Sequence, residues 1–375
     1  MEKPKKYYLK LIIISLTIFT NIRMSSDAAT LQYTPEQYDT LIRFGITAPL
    51  GIEGYDLESI HALTFLDWAK ENPNVPDGIE YIHVLKMRFV KVTEDDESGS
   101  LDEAAYQKFL IDLPSLVARN PGAVWLIGNE PDRRAVQDDL TPEKYAQRFF
   151  EVATTIKNID PNAKIGFGSI VQPTPIRIRY LERSLTELSN LTGSKESALA
   201  LIDIWSIHAF ILNEVGTWGA DIPPGFDCVV DSCDDAILIT DFSDTYSIDI
   251  FIERIQNFRD WMKLLGEKEK PLWITEYGSL FYYWEVYCPD EDEEYCQNPY
   301  NGWPTERDTI NFMIETFDFL LYATNMNSGY SVDNNKLVQR WYWYSLNDHL
   351  YSFGGTLLTK QPFFCNFKSE ISIFL

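Results

Sequence analysis

A (β/α)8 barrel is the fold class this sequence predicts, and three observations predict it. Short apolar, β-branched or aromatic runs alternate with amphipathic helical stripes along the chain. The runs are nearly continuous in apolar residues, as strands of a parallel sheet covered on both faces must be. Seven or eight such units fit in 375 residues, enough for one closed barrel, which takes about 250 residues or more. The rival is an open doubly wound sheet, which announces its ligand site by a Gly-rich first turn. Here Gly166-Phe167-Gly168-Ser169 lacks the third glycine and a correctly spaced acid.

The predicted strands, in order, are 43–47 (the weakest), 61–68, 81–90, 123–128, 164–171, 202–210, 272–277 and 340–346. Tyr106, Phe109, Leu110 and Leu113 recur at helical spacing before the strand at 123. Thr141-Pro142-Glu143 is a helix start: a capping hydroxyl, Pro in the first turn and an early acid. It leads into the stripe Tyr145, Phe149, Val152 and Ile156. Phe251, Ile255, Phe258, Met262 and Leu265 repeat that stripe before the strand at 272, and a helix at 306–322 precedes the last strand. The insertion at about 211–246 follows a strand and is expected to form a lid or rim at the strand ends. Only 28 residues follow position 347, and they show no clear amphipathic stripe, so an abbreviated closing helix is expected.

Residues 1–29 read as an address, and 30–375 as a single catalytic-sized domain. Lys3, Lys5, Lys6 and Lys10 precede an apolar run at 11–19, the length of a secretory core and too short to span a bilayer. Ser26-Asp27-Ala28 is a tolerable cleavage site, with a retained N-terminal anchor as the alternative. The expected location is extracellular, secreted or at the cell surface. Cys228 and Cys233 flank one acidic loop-like segment and Cys288 and Cys296 another. In an oxidising compartment both pairs read as local disulfides, with Cys365 left as a buried thiol. Zinc needs a tetrahedral ligand set, and the sequence has no C-x-x-C and only four scattered His. The acidic run at 290–294 reads as a solvated loop before it reads as a calcium site. No metal or organic cofactor is implied.

The charge narrows the partners. There are 32 Lys+Arg against 56 Asp+Glu, a net −24. Removing residues 1–29 leaves 27 basic against 54 acidic, or −27. No basic stripe exists to track phosphates, so nucleic acid is excluded, as are anionic membrane surfaces. Polyanionic glycans would be repelled at long range. An uncharged oligo- or polysaccharide is compatible, and 10 Trp, 21 Tyr and 22 Phe supply rings on which sugars could pack. A monomer is expected.

Chemistry in a barrel sits at the C-terminal ends of its strands. The run 124–128 delivers Asn129-Glu130-Pro131-Asp132, and the run 272–275 delivers Glu276-Tyr277-Gly278. A carboxylate at the end of a buried strand is partly desolvated, which raises its pKa and costs energy unless something pairs or uses it. Two carboxyls about 5–5.5 Å apart are the arrangement of retaining glycosidases.

With strands counted from 43, Glu130 follows the fourth and Glu276 the seventh, 146 residues apart. This resembles clan A of the glycoside hydrolases. The order of 203–208 and 271–276 around those motifs is similar to the β-glucanase-like branch that contains the family 128 endo-β-1,3-glucanases. The resemblance implies a retaining glycosidase acting on a β-linked glycan, with Glu130 as acid/base and Glu276 as nucleophile. It implies Asn129 on the sugar 2-hydroxyl and Trp343 as the floor of the reactive-sugar subsite, although Trp341 and Tyr342 compete for that place by alternation. His208 is expected to touch substrate or Glu276, and Tyr277 to orient the nucleophile. Arg88 is expected to pair with Glu276 and keep it ionised. Tyr282, Tyr283, Trp284 and Trp218 are candidate outer platforms. A transglycosylase and a catalytically idle glycan-binding barrel remain as alternatives.

Overall fold

The computed structural model describes residues 39–57, 60–90, 100–216, 218–281, 303–348 and 356–357. Eight parallel strands close into one barrel in sequence order. They are β1 (Phe44–Thr47), β2 (Thr64–Asp67), β3 (Glu80–Leu85), β4 (Val124–Ile127), β5 (Lys164–Ile170), β6 (Ile204–His208), β7 (Leu272–Tyr277) and β8 (Arg340–Trp343). All eight predicted strands are present, most trimmed at their ends. The weakest of them, β1, closes the barrel by pairing with both β2 and β8.

The α-helices are α1 (Ser100–Arg119), α2 (Pro142–Ile159), α3 (Pro175–Thr192), α4 (Lys195–Ala200), α5 (Ile248–Leu265) and α6 (Glu306–Tyr322). The predicted stripes bury their apolar face: Tyr145, Phe149, Val152 and Ile156 of α2 are fully enclosed. The Thr141 hydroxyl accepts from the Lys144 amide at 3.3 Å, capping α2 as expected. Helix α3 has no counterpart among the predicted stripes, though it too begins at Thr-Pro and stops at Gly193 with φ 86°.

Two layers of core follow from strand alternation. Leu66, Ile82, Val84, Val124, Leu126, Ile204, Trp273 and Tyr342 pack together inside the barrel. Phe65, Trp125, Phe167, Trp205, Ile274 and Trp341 face the helices. The interior is so full that a Cβ on Gly45 would lie 2.2 Å from the Tyr342 ring.

The insertion forms a rim stapled by a Cys228–Cys233 disulfide. Trp218 stacks on Phe242 at 4.7 Å and meets Phe281 edge-on, so it belongs to the rim's own core. Fully buried Arg177 of α3 ties the rim to the loop after β4. It donates to Glu214 at 2.8 Å, to the Ala220 carbonyl at 3.1 Å and to the carboxylate and carbonyl of Asp132. No helix among the described residues is long and apolar enough to cross a membrane. Residues 1–29, Cys288, Cys296, Cys365, the run 290–294, Tyr282, Tyr283, Trp284 and the proposed closing helix lie outside the described residues.

Candidate active site

At the C-terminal end of the barrel, three side chains converge. Glu130 comes from the turn after β4, His208 ends β6 and Glu276 lies on β7. Their exposures are 1%, 1% and 5%. His208 Nδ1 is 3.1 Å from Glu130 Oε1, and His208 Nε2 is 3.4 Å from Glu276 Oε1. One ligand-type atom from each of the three lies within 4.8 Å of the others.

Local backbone features aim these groups. Positions 124, 126 and 130 share parity, and Gly128, with φ 97°, lets the chain turn past the Tyr145 ring. Glu130 itself has φ 45°, a left-handed conformation that costs a non-glycine residue about 1–3 kcal/mol. Its amide donates to the Ser169 carbonyl at 3.0 Å, and buried Asp138 accepts from the Asn129 amide at 2.8 Å. Those bonds fix the turn. On β7, strict alternation from inward Trp273 would turn Glu276 outward. The register instead slips by one residue: Ile207 pairs with Ile274, but His208 with Glu276. The extra residue, Thr275, makes a bulge that swings Glu276 inward and Tyr277 outward.

The electrostatics separate the two carboxyls. Burial works against a charge on Glu130, but Arg133 and His208 together outweigh it and hold the carboxyl down at about 2. Arg133 Nη1 donates to Glu130 Oε2 at 3.0 Å. Burial pushes Glu276 up to about 8; His208 opposes that, and the like charge of Glu130 adds to it. Burial alone would lower His208, yet the flanking carboxylates leave it raised. These influences favour charge on Glu130 over charge on Glu276.

The same three residues are the one His/Cys/Asp/Glu group among the described residues with ligand atoms close enough for a metal. The donor directions do not suit one. The two nitrogens of an imidazole point apart, and here each faces a different carboxylate, so no single point meets all three groups.

The other expected residues divide. Asn129 is at the site and buried: its Oδ1 accepts from Trp68 Nε1 at 2.8 Å and its Nδ2 donates to Gln137 at 3.2 Å. Arg88 is a correction. It pairs with Asp139 at 2.7 Å rather than with Glu276, because β3 ends before the cleft and Asp139 is nearer. The cation at the carboxyl pair is Arg133, one turn beyond Glu130, a spacing visible in Glu130-Pro131-Asp132-Arg133. Tyr277 packs into the barrel wall against Phe251, with ring centroids 5.4 Å apart. Trp343 is also a correction: fully buried, it meets Tyr277 edge-on at 5.2 Å on the helix-facing side. Alternation gives the cleft place to Tyr344. Its phenol is raised by burial and by the charge of Glu276, and its hydroxyl donates to Asp348. Trp68 at 6.2 Å and Phe210 at 6.0 Å complete an aromatic wall with it.

Sequence comparison finds no matching family model and no matching curated protein. Among solved structures, the chain is similar to a family 128 (subgroup I) endo-β-1,3-glucanase from Amycolatopsis mediterranei at 14% identity and TM-score 0.48. That likeness covers 89% of this chain and 98% of the other. It is similar to a family 128 (subgroup III) curdlan-specific exo-β-1,3-glucanase from Blastomyces gilchristii at 15% identity and TM-score 0.47, over 89% and 98%. It is also similar to a monomeric β-xylosidase from Caulobacter crescentus at 12% identity and TM-score 0.46, over 82% and 60%.

Proposed function

We propose that this chain is a retaining glycoside hydrolase that cleaves a β-linked, uncharged glycan by double displacement, with a β-glucan as the favoured substrate. The observation that carries the reading is the buried pair Glu130 and Glu276 at the C-terminal end of the barrel, with carboxylate oxygens within 4.8 Å. That separation suits a nucleophile and an acid/base on one glycosidic bond and leaves no room for the attacking water that an inverting enzyme holds between its carboxyls.

In this reading Glu130 protonates the leaving oxygen while Glu276 attacks the sugar carbon, and Glu130 then deprotonates the hydrolytic water. Trp68 and Tyr344 offer ring faces to the sugar's C–H surface. Asn129 has a remaining amide hydrogen for a sugar hydroxyl. Arg133 Nε, buried and without a partner among the described residues, is a further donor. The net −24 favours a neutral substrate, since it repels polyanionic chains. We also propose export, with residues 1–29 as signal; the Cys228–Cys233 disulfide agrees with an oxidising destination.

The test is Glu276→Ala with a dinitrophenyl β-glucoside and azide, beside a polysaccharide panel assayed for reducing ends. The reading expects loss of hydrolysis and rescue as the α-glycosyl azide. A β-azide product would exchange the two roles, and wild-type turnover in the variant would end the assignment.

A further inference from the structure

His208 does more than fill the space between two acids. Each ring nitrogen faces a different carboxylate, Nδ1 toward Glu130 at 3.1 Å and Nε2 toward Glu276 at 3.4 Å. An imidazole held this way can accept a proton at one nitrogen and release another from the opposite one without turning. All three side chains are almost wholly enclosed, which restricts bulk water in the same task. Glu130 has Arg133 in contact as well as His208. No Lys or Arg among the described residues lies within ion-pair distance of Glu276, whose contact there is His208 Nε2 at 3.4 Å. That arrangement favours the ionised form of Glu130, whereas the proposed chemistry begins with the proton on Glu130.

We propose that His208 is a positioning residue that carries the shared proton from Glu276 to Glu130, converting the resting cleft into the reactive one. The inference rests on the glycosidase reading only for which carboxyl must hold the proton when the substrate arrives. The step balances within the three side chains. The Glu276 O–H bond breaks as Nε2–H forms; the Nδ1–H bond breaks as a Glu130 O–H forms. The imidazole changes tautomer from Nδ1–H to Nε2–H and is neutral before and after. Glu276 is left as the carboxylate that attacks. The charges that bias this balance are Glu130, Glu276 and Asp132 around His208, and Arg133 and Lys86 around Glu276. A substrate hydroxyl that draws Arg133 from Glu130 would favour the transfer.

Two measurements test it. The sequence has four His, so 15N-histidine NMR of the wild type, with His208→Gln for assignment, reads the tautomer directly. The proposal expects a neutral imidazole with its proton on Nδ1 in the substrate-free protein at neutral pH; a bare Nδ1 or a doubly protonated ring there overturns it. The second measurement compares a β-glucan oligosaccharide, whose leaving group needs a proton, with a dinitrophenyl β-glucoside, whose leaving group does not. In His208→Gln the oligosaccharide should lose about 10²-fold at every pH, the scale of a proton transfer. The dinitrophenyl glucoside should recover in part toward alkaline pH, where Glu276 loses its proton without the imidazole. An equal loss for both substrates at every pH assigns His208 a purely structural role and overturns the proposal. If the wild type cleaves no glycoside, the glycosidase reading fails, and the nitrogen spectrum alone decides where the proton sits.

Discussion

His83 and His208 are both buried strand histidines, 3% and 1% exposed, and they have opposite electrostatics. His83, in the middle of β3, faces the helix layer, stacked on Trp125 at 4.1 Å and edge-on to Tyr81 at 4.6 Å. Burial pushes it down to about 4. His208, at the end of β6, faces the cleft between two carboxylates and is raised. Burial is the same pressure on both. What differs is the partners, and the partners come from the position along the strand. The wall of the barrel packs rings against rings, while its C-terminal mouth gathers charge.

The largest effect should come from breaking the partners of His208. Glu130→Gln removes the proposed acid and should lower kcat/KM on an unactivated glycan by about 10³-fold. It should also lower the His208 pKa, read by 15N NMR. A His208 that titrates unchanged would mean that Glu130 is not what raises it. Next is Arg177→Met, behind the mouth, which leaves Asp132 and Glu214 buried without their cation. Urea denaturation should show a loss of about 3–5 kcal/mol, the cost of breaking a buried ion network by one partner.

The third expectation concerns His83. Its pKa falls from 6.5 to about 4 on folding, so below pH 6.5 the unfolded chain takes a proton that the folded chain refuses. The stabilisation is complete above pH 6.5 and is lost as pH falls to about 4, about 3 kcal/mol in all. In His83→Phe the stability difference between pH 7 and pH 4 should shrink by that amount; an unchanged difference would refute the comparison. The smallest effect is expected at Arg88. Arg88→Leu should change kcat/KM by less than about threefold, because its partner is Asp139 in a partly exposed pair. A hundredfold loss would mean that Arg88 serves Glu276 after all.

Much of this molecule is legible in the sequence, and the limit has a physical origin. All eight strands show because each is buried on both faces and so reads as an apolar run. Even the doubtful run at 43–47 proved to be the strand that closes the barrel. Asn129, Glu130, His208 and Glu276 stand out in the sequence because they are polar residues that end apolar strands. Directions were harder. Whether Glu276 faces in depends on the extra residue at Thr275, and no residue type marks that slip. Trp343 looked like the sugar floor because it is a tryptophan, yet alternation from inward Tyr342 gives the cleft to Tyr344. Arg88 and Arg133 are alike as sequence; the tight turn after Glu130 decides between them.

The left-handed backbone at Glu130 has an evolutionary consequence. A glutamate is an expensive occupant of that conformation, while glycine or asparagine adopts it readily. A descendant released from selection for turnover would therefore drift toward Gly or Asn at position 130, becoming a more stable and silent barrel. On the proposed assignment of Glu130 as acid/base, stability and activity pull in opposite directions at this one residue. On that assignment, the residue type at this position in a related chain would tell whether turnover is still under selection there.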